Sequence, residues 1–319
     1  MNQTFPELHI PVLLERSLEL LRPALLGKSP LVIDATLGLG GHSEALLSQF
    51  ENLTVLGIDR DPSALEIAST RLAKFGERFQ GVLATYDHIP DVCSELGIGS
   101  IDAVLFDLGV SSMQLDQADR GFAYAQDAPL DMRMNQQQGR TAADLLATMD
   151  EADLIRIFRE YGEERYASAV ARAVVRRRAE KPIQSSSDLN ELVESVIPRV
   201  PGKQAGHPAK RIYQALRIAV NDELEILRRA IPAAIKLLRP GGRIIVLSYH
   251  SLEDGIVKDV FQNQAKSSTP IELPVELPGT AAKLRILTRG VERSGELELS
   301  KNPRAASARL RAAEKLEEN

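Results

Sequence analysis

The chain has 319 residues, 44% of them apolar, with one cysteine and a formal net charge of −5. That is enough apolar content for a full core in about two domains, and no apolar run approaches the roughly 20 residues of a membrane span. MNQTFPELHI at the N-terminus lacks the basic start and apolar core of a secretory signal, and the lone Cys93 forbids an internal disulfide, so a soluble cytoplasmic protein is expected.

The first predicted strand is Leu31–Thr36, an apolar run with Asp34 near its end, which opens into a turn carrying Gly38, Gly40 and Gly41. A helix follows, then a second strand, Thr54–Asp59, ending in a carboxylate. This is a nucleotide-binding strand–turn–helix–strand unit: glycines let backbone approach a ligand, and an acidic residue at the second strand's end accepts hydrogen bonds from ribose hydroxyls. A dinucleotide fingerprint wants glycine or alanine at its third position, where Ser43 stands. Asp34 just before the turn is instead the spacing seen where S-adenosylmethionine binds. Asp61-Pro62 reads as an N-cap followed by a first-turn proline. Further strands are predicted at Gln80–Thr85, Ile101–Leu108 and Arg243–Ser248, with LRPGGR at Leu238–Arg243 as the turn into the last. Helical stretches between the first four strands imply a parallel, doubly wound sheet. Cys93, in DVCSEL, reads as a helix packing residue.

Between Ser112 and about Gln214 the strand signal disappears, and LLATMDEADLIRIFREYGEERYASAVARAVVRRRAE is helical in period. Another helix is expected to start near Ser187-Asp188. A sheet that resumes after about a hundred helical residues implies an inserted lobe. Charge is segregated in the same way. Residues 1–100 carry six net negative charges, whereas 165–211 carry six net positive and 283–315 five. Arg176–Arg178 alone could be an ordinary solvated face, but two basic segments flanking a cofactor fold favour a nucleic-acid substrate.

DATLGLGGHS, IDRDP, VLFDLGVSSMQLD, RGFAY with APLDMRM, YGEERYA, HPAKRIYQALRIAVNDEL, YHSLED and NPRAASARLR occur in this order. The chain so resembles the bacterial ribosomal RNA small-subunit methyltransferase H family, from His9-Ile10-Pro11-Val12-Leu13 to Arg311. It departs in having Tyr213 and Tyr249 where phenylalanine is common, Gly255 where arginine is common, and Lys210-Arg211 where TR-like pairs are usual. The resemblance implies a class I methyltransferase, a Rossmann-like α/β sheet with an inserted all-helical domain. Its expected divisions are 1–115 and 215–319 for the methyltransferase and 116–214 for RNA recognition. The implied activity is methyl transfer from S-adenosyl-L-methionine to the exocyclic N4 of a cytidine in the decoding centre of 16S ribosomal RNA. The implied partner is the small ribosomal subunit or its assembly intermediate.

Matched positions make Gly40, Gly41, His42, Asp59, Tyr86, Asp107 and Gln114 the expected cofactor ligands. Gly40, Gly41 and His42 close the turn at a helix N-terminus, where free N–H groups can meet a carboxylate; His42 could instead only cap that helix. Tyr86 offers a stacking face to adenine, or packs in the core. The N4 lone pair is delocalised into the ring, so the amine needs an acceptor for its proton and tight alignment. The Asn/Asp-Pro-Pro-aromatic tetrad of other amino-methylating enzymes is absent, and DLGVSS replaces it. Asp107 is therefore the candidate catalytic contact, with pure cofactor binding as the alternative. His250, beside Glu253 in YHSLED, is a second catalytic candidate that could equally be a structural hydrogen-bonding residue. No Cys/His cluster has metal-ligand spacing. A nicotinamide oxidoreductase and a non-catalytic assembly protein are the competing classes. Ser43 and the lack of a hydride-transfer pair count against the first, and the intact cofactor motif against the second.

Overall fold

The computed structural model describes residues 11–198, 207–269, 277 and 279–317. The quoted His9 and Ile10 lie outside them. The chain divides into two compact units, one running to Gly109 and resuming at Leu224, the other Val110–Glu223.

The first unit is built on a seven-stranded sheet: β1 (Leu31–Asp34), β2 (Thr54–Asp59), β3 (Phe79–Leu83), β4 (Ile101–Asp107), β5 (Leu238–Ser248), β6 (Leu284–Ile286) and β7 (Arg309–Lys315). Their order is β3-β2-β1-β4-β5-β7-β6. The first five strands pair in parallel. Near-continuous burial along β1, β2 and β4 marks strands covered on both faces. The five expected strands are parallel, and the sheet is extended at its far side, where β7 pairs antiparallel with both β5 and β6. Neither strand was anticipated. β6 has three residues, and β7 is an Ala- and Arg-rich run with little β-propensity of its own. A correction concerns LRPGGR. Leu238 already pairs with Ile101, and the register shifts before Arg243 pairs with Ala103, so the segment is an irregularity inside β5.

Strand order reverses at β1, between its neighbours β2 and β4, and the crevice at the carboxyl ends of these strands is where open α/β sheets bind ligands. The helix Gly41–Gln49 follows β1, and Pro62–Leu72 follows β2. The latter starts at Asp61, whose carboxylate accepts the Ser63 N–H, with Pro62 in the first turn. Cys93 is buried in the Ile89–Glu95 helix, and burial pushes its thiol up.

The second unit is helical: Ser112–Asp116, Ala142–Thr148, Glu151–Glu160, Ala167–Glu180, Ser186–Val196 and Lys210–Asn221. Ser185, rather than Ser187 or Asp188, caps the fifth of these, in a capping box with Asp188. Leu146, Leu154, Phe158, Val170, Val174 and Leu216 belong to one buried cluster. The Arg176–Arg178 run divides by helix geometry. Arg178 donates to the Leu146 and Met149 carbonyls at 2.9 and 2.6 Å, satisfying the end of the Ala142–Thr148 helix. Arg172 and Arg176, four apart, are exposed.

Candidate active site

Asp34, Asp59 and Asp107 end three neighbouring strands, β1, β2 and β4. Each serves a different partner. The buried Asp34 accepts the Ser43 hydroxyl at 2.6 Å and the Thr36 N–H at 3.4 Å. Burial pushes its carboxyl up to about 6 despite the Ser43 bond. The residue that breaks the dinucleotide fingerprint is therefore fully buried and ties the first turn of the Gly41–Gln49 helix back to β1.

Asp59 accepts the Gly38 N–H at 2.7 Å through one oxygen and the Asp61 N–H at 2.8 Å through the other. It joins the glycine turn to the start of the next helix, and burial pushes it up to about 6. Gly40 caps the Gly41–Gln49 helix in the left-handed region, φ 76°, which a side chain would strain. Gly41 is small for another reason: a Cβ there would lie 2.5 Å from Pro11 Cγ. A Cβ on Gly38 would meet nothing nearer than 3.9 Å. Open space thus lies in front of Gly38, while Gly40 and Gly41 shape the turn behind it.

His42, the second residue of that helix, is buried. Its Nε2 is 3.2 Å from the Val12 carbonyl and its Nδ1 is 3.7 Å from Asp107 Oδ2. A carbonyl can only accept, so the hydrogen-bond network assigns the proton to Nε2 and leaves the Nδ1 lone pair facing Asp107. Burial pushes the imidazole below its ordinary value, which keeps it neutral.

Asp107 is the most perturbed of the three carboxylates. Its backbone N–H donates to Thr36 Oγ1 at 2.6 Å, and Oδ1 accepts the Tyr249 hydroxyl at 2.6 Å. Burial pushes it up to about 7, the Tyr249 bond opposing and Glu253 adding to the rise. A quarter of the side chain stays accessible, so this carboxyl can meet a ligand.

Tyr86 follows β3, half-buried, with its ring edge-on to Phe106 at 5.6 Å and 84°. His250 caps the helix Ser251–Gln264: Nδ1 receives the Glu253 N–H, and the Glu253 carboxylate accepts the Tyr249 and His250 N–H groups. That arrangement is the structural role weighed for His250. Gln114 lies in the second unit, buried, where it completes a capping box with Ser111. The first unit therefore brings Gly40, Gly41, His42, Asp59, Tyr86, Asp107 and His250 to the ends of its strands. Sequence reasoning passed over Thr36 and the Ser43 latch, and noted Tyr249 only as a departure. The side-chain type of Ser43, unexpected at its position, was the available signal.

Among the described residues, no group of three His, Cys, Asp or Glu is placed to hold a metal ion, and no helix is long and apolar enough to cross a membrane.

A sheet that reverses order at β1, a left-handed glycine turn into a helix and a carboxylate ending β2 define a class I, S-adenosylmethionine-dependent methyltransferase. The open space before Gly38, with the desolvated Asp59 carboxylate beside it, fits the cofactor's ribose and amino-acid portions. The chain belongs to the MraW methylase family, whose model matches residues 7–316. It is 54% identical over 310 residues to the "Ribosomal RNA small subunit methyltransferase H" of Saccharopolyspora erythraea, covering 97% of this chain and 94% of that one. A protein of the same name from Nocardioides sp. is 57% identical over 307 residues, covering 96% of each. One from Pseudarthrobacter chlorophenolicus is 53% identical over 315 residues, covering 97% and 96%.

Proposed function

We propose that this protein transfers a methyl group from S-adenosylmethionine to the exocyclic N4 of a cytidine in the decoding centre of 16S ribosomal RNA. The work is done in the cytoplasm, on the small subunit or its assembly intermediate. The observation that carries the proposal is the near full-length identity of 53–57% to relatives named ribosomal RNA small subunit methyltransferase H. The Asp107 carboxyl at the end of β4 supports the choice of an amine as acceptor.

The bound cofactor supplies an electrophilic methyl on a sulfonium. The chain's own groups do the rest. Asp59 would accept hydrogen bonds from the ribose hydroxyls, Gly41 and His42 at the start of their helix would present backbone N–H groups to the carboxylate with Gly40 shaping the turn, and Tyr86 would cover the adenine. Asp107 accepts a hydrogen bond from the cytosine amino group. Positive charge developing on the amino nitrogen during methyl transfer would strengthen the hydrogen bond to Asp107. The surplus amine proton then leaves to the carboxylate or to water. Gln114 is kept as a cofactor ligand in the proposal, and His250 as the support of this rim through Glu253. The helical unit, with Arg172 and Arg176 exposed, is assigned to the RNA.

Mapping the methylated nucleotide in ribosomal RNA from cells with and without the gene tests the proposal. Loss of N4 methylation at one decoding-centre cytidine is expected, and an unchanged modification pattern refutes it.

A further inference from the structure

We propose that Tyr249 is a positioning residue for methyl transfer, its hydroxyl holding one oxygen of Asp107 so that the carboxylate faces the substrate amine. The inference rests on the role given to Asp107 above and goes beyond it, because it assigns the ionisation of that carboxyl to one neighbouring hydroxyl.

The surroundings of Asp107 are unusually one-sided. From the turn after β5, Tyr249 donates its hydroxyl to Oδ1 at 2.6 Å. From the Gly41–Gln49 helix, His42 presents an Nδ1 lone pair toward Oδ2 at 3.7 Å. Glu253, from the Ser251–Gln264 helix, faces it as a further carboxyl, and Asp34 at the end of β1 interacts with it as another. The Asp107 backbone N–H is spent on Thr36. Among the described residues, Tyr249 is the side chain that donates a hydrogen to this carboxyl. Everything else near it, burial included, favours the protonated acid, which is a weaker acceptor for the amine hydrogen than the carboxylate and reacts poorly as a base.

The phenol is also held in place before any ligand arrives. The Tyr249 backbone N–H donates to the Glu253 carboxylate at 2.8 Å. The phenol ring lies against Gly109, where a Cβ would come within 3.4 Å of ring Cδ2. Gly109 itself is at φ 96°, so glycine both permits the backbone turn after β4 and leaves the ring its place. Tyr249 therefore meets Asp107 with little rotamer freedom left to lose.

Tyr249→Phe removes only the hydroxyl. Two readouts on the full chain test the role. In the cofactor-free protein, carbon-13 NMR titration of the aspartate carboxyls should show the Asp107 midpoint moving upward by about one pH unit, the size expected for loss of a hydrogen bond to a charged group. In single-turnover methylation of small-subunit RNA with both substrates saturating, the rise of rate with pH should move upward by the same amount, while cofactor affinity stays within about twofold. Replacing Tyr249 with 3,5-difluorotyrosine, a stronger donor, should move both midpoints down and guards against a Phe variant that fails to fold. An unmoved Asp107 titration overturns the inference even if the methyltransferase reading stands. A moved titration with an unmoved rate profile also overturns it. The function itself fails only if the wild-type chain methylates no cytidine, which the NMR readout does not depend on.

Discussion

Replacing Asp107 by Asn should make the ligand-free protein more stable at pH 8 while crippling methyl transfer. A carboxyl pushed from 3.8 to about 7 holds its proton in the folded chain over a range where the unfolded chain has released it. The folded state then binds more protons, so stability falls as pH rises from about 4 to about 7 and is level above. A shift of that size corresponds to about 4 kcal/mol as an upper bound. Partial exposure and relaxation of the surroundings reduce it, and a gain of about 1–2 kcal/mol is expected for Asn. The geometry favours the amide as well: its oxygen can accept from the Tyr249 hydroxyl, and its NH2 can donate to the lone pair on His42 Nδ1. Urea denaturation of both proteins at pH 5 and pH 8 measures the effect. The wild type should lose stability between the two and the variant should lose less. Single-turnover methylation with saturating substrates should fall by roughly a hundredfold to ten-thousandfold, typical of a positioned acid–base group. A variant less stable than wild type at pH 8, with an unchanged pH dependence, would refute the account of a destabilised carboxylate. Near wild-type turnover would leave Asp107 as a cofactor ligand only.

Asp59→Ala should weaken S-adenosylmethionine binding by about 1–3 kcal/mol in a calorimetric titration, since ribose hydroxyls lose a charged acceptor and the Gly38 turn loses its anchor. Unchanged affinity in a folded variant removes Asp59 from the site. Ser43→Ala should cost about 1–3 kcal/mol in urea denaturation, because the buried Asp34 carboxyl loses its 2.6 Å donor. A neutral substitution would show that water replaces the hydroxyl. The basic run in the helical unit should separate into two behaviours. Arg178→Ala lowers the unfolding midpoint by freeing two helix-end carbonyls, whereas Arg172→Ala with Arg176→Ala leaves stability alone, weakens RNA binding and flattens its salt dependence. Equal salt slopes before and after the double substitution would make that face mere solvated surface.

The C-terminal basic segment shows how charge counting can mislead. Its five net positive charges suggest a polyanion surface, but the strands turn several of them inward. Arg309 and Arg311 meet Asp254, whereas Arg285 stays exposed while meeting Glu314. Lys315 donates to the Lys236 carbonyl. Charge per segment is visible in the chain, but the partner of each charge depends on strand register.

Local order and spacing alone determined the five parallel strands, the glycine turn, the carboxylate at the end of β2, the Asp61-Pro62 helix start and the helical interruption. These rest on periodicity, capping and turn chemistry, which act over a few neighbouring residues. The order of the motifs was enough to name a family. The tertiary structure decided what pairs across the chain: β7 entering antiparallel between β5 and β6, Pro11 requiring glycine at 41, Arg178 closing another helix's end, and Tyr249 reaching Asp107 from 142 residues away. Such contacts arise when strands lie side by side and their loops emerge at one edge. A residue's neighbour there is set by register and side-chain direction. No local pattern around Asp107 or Tyr249 encodes that meeting.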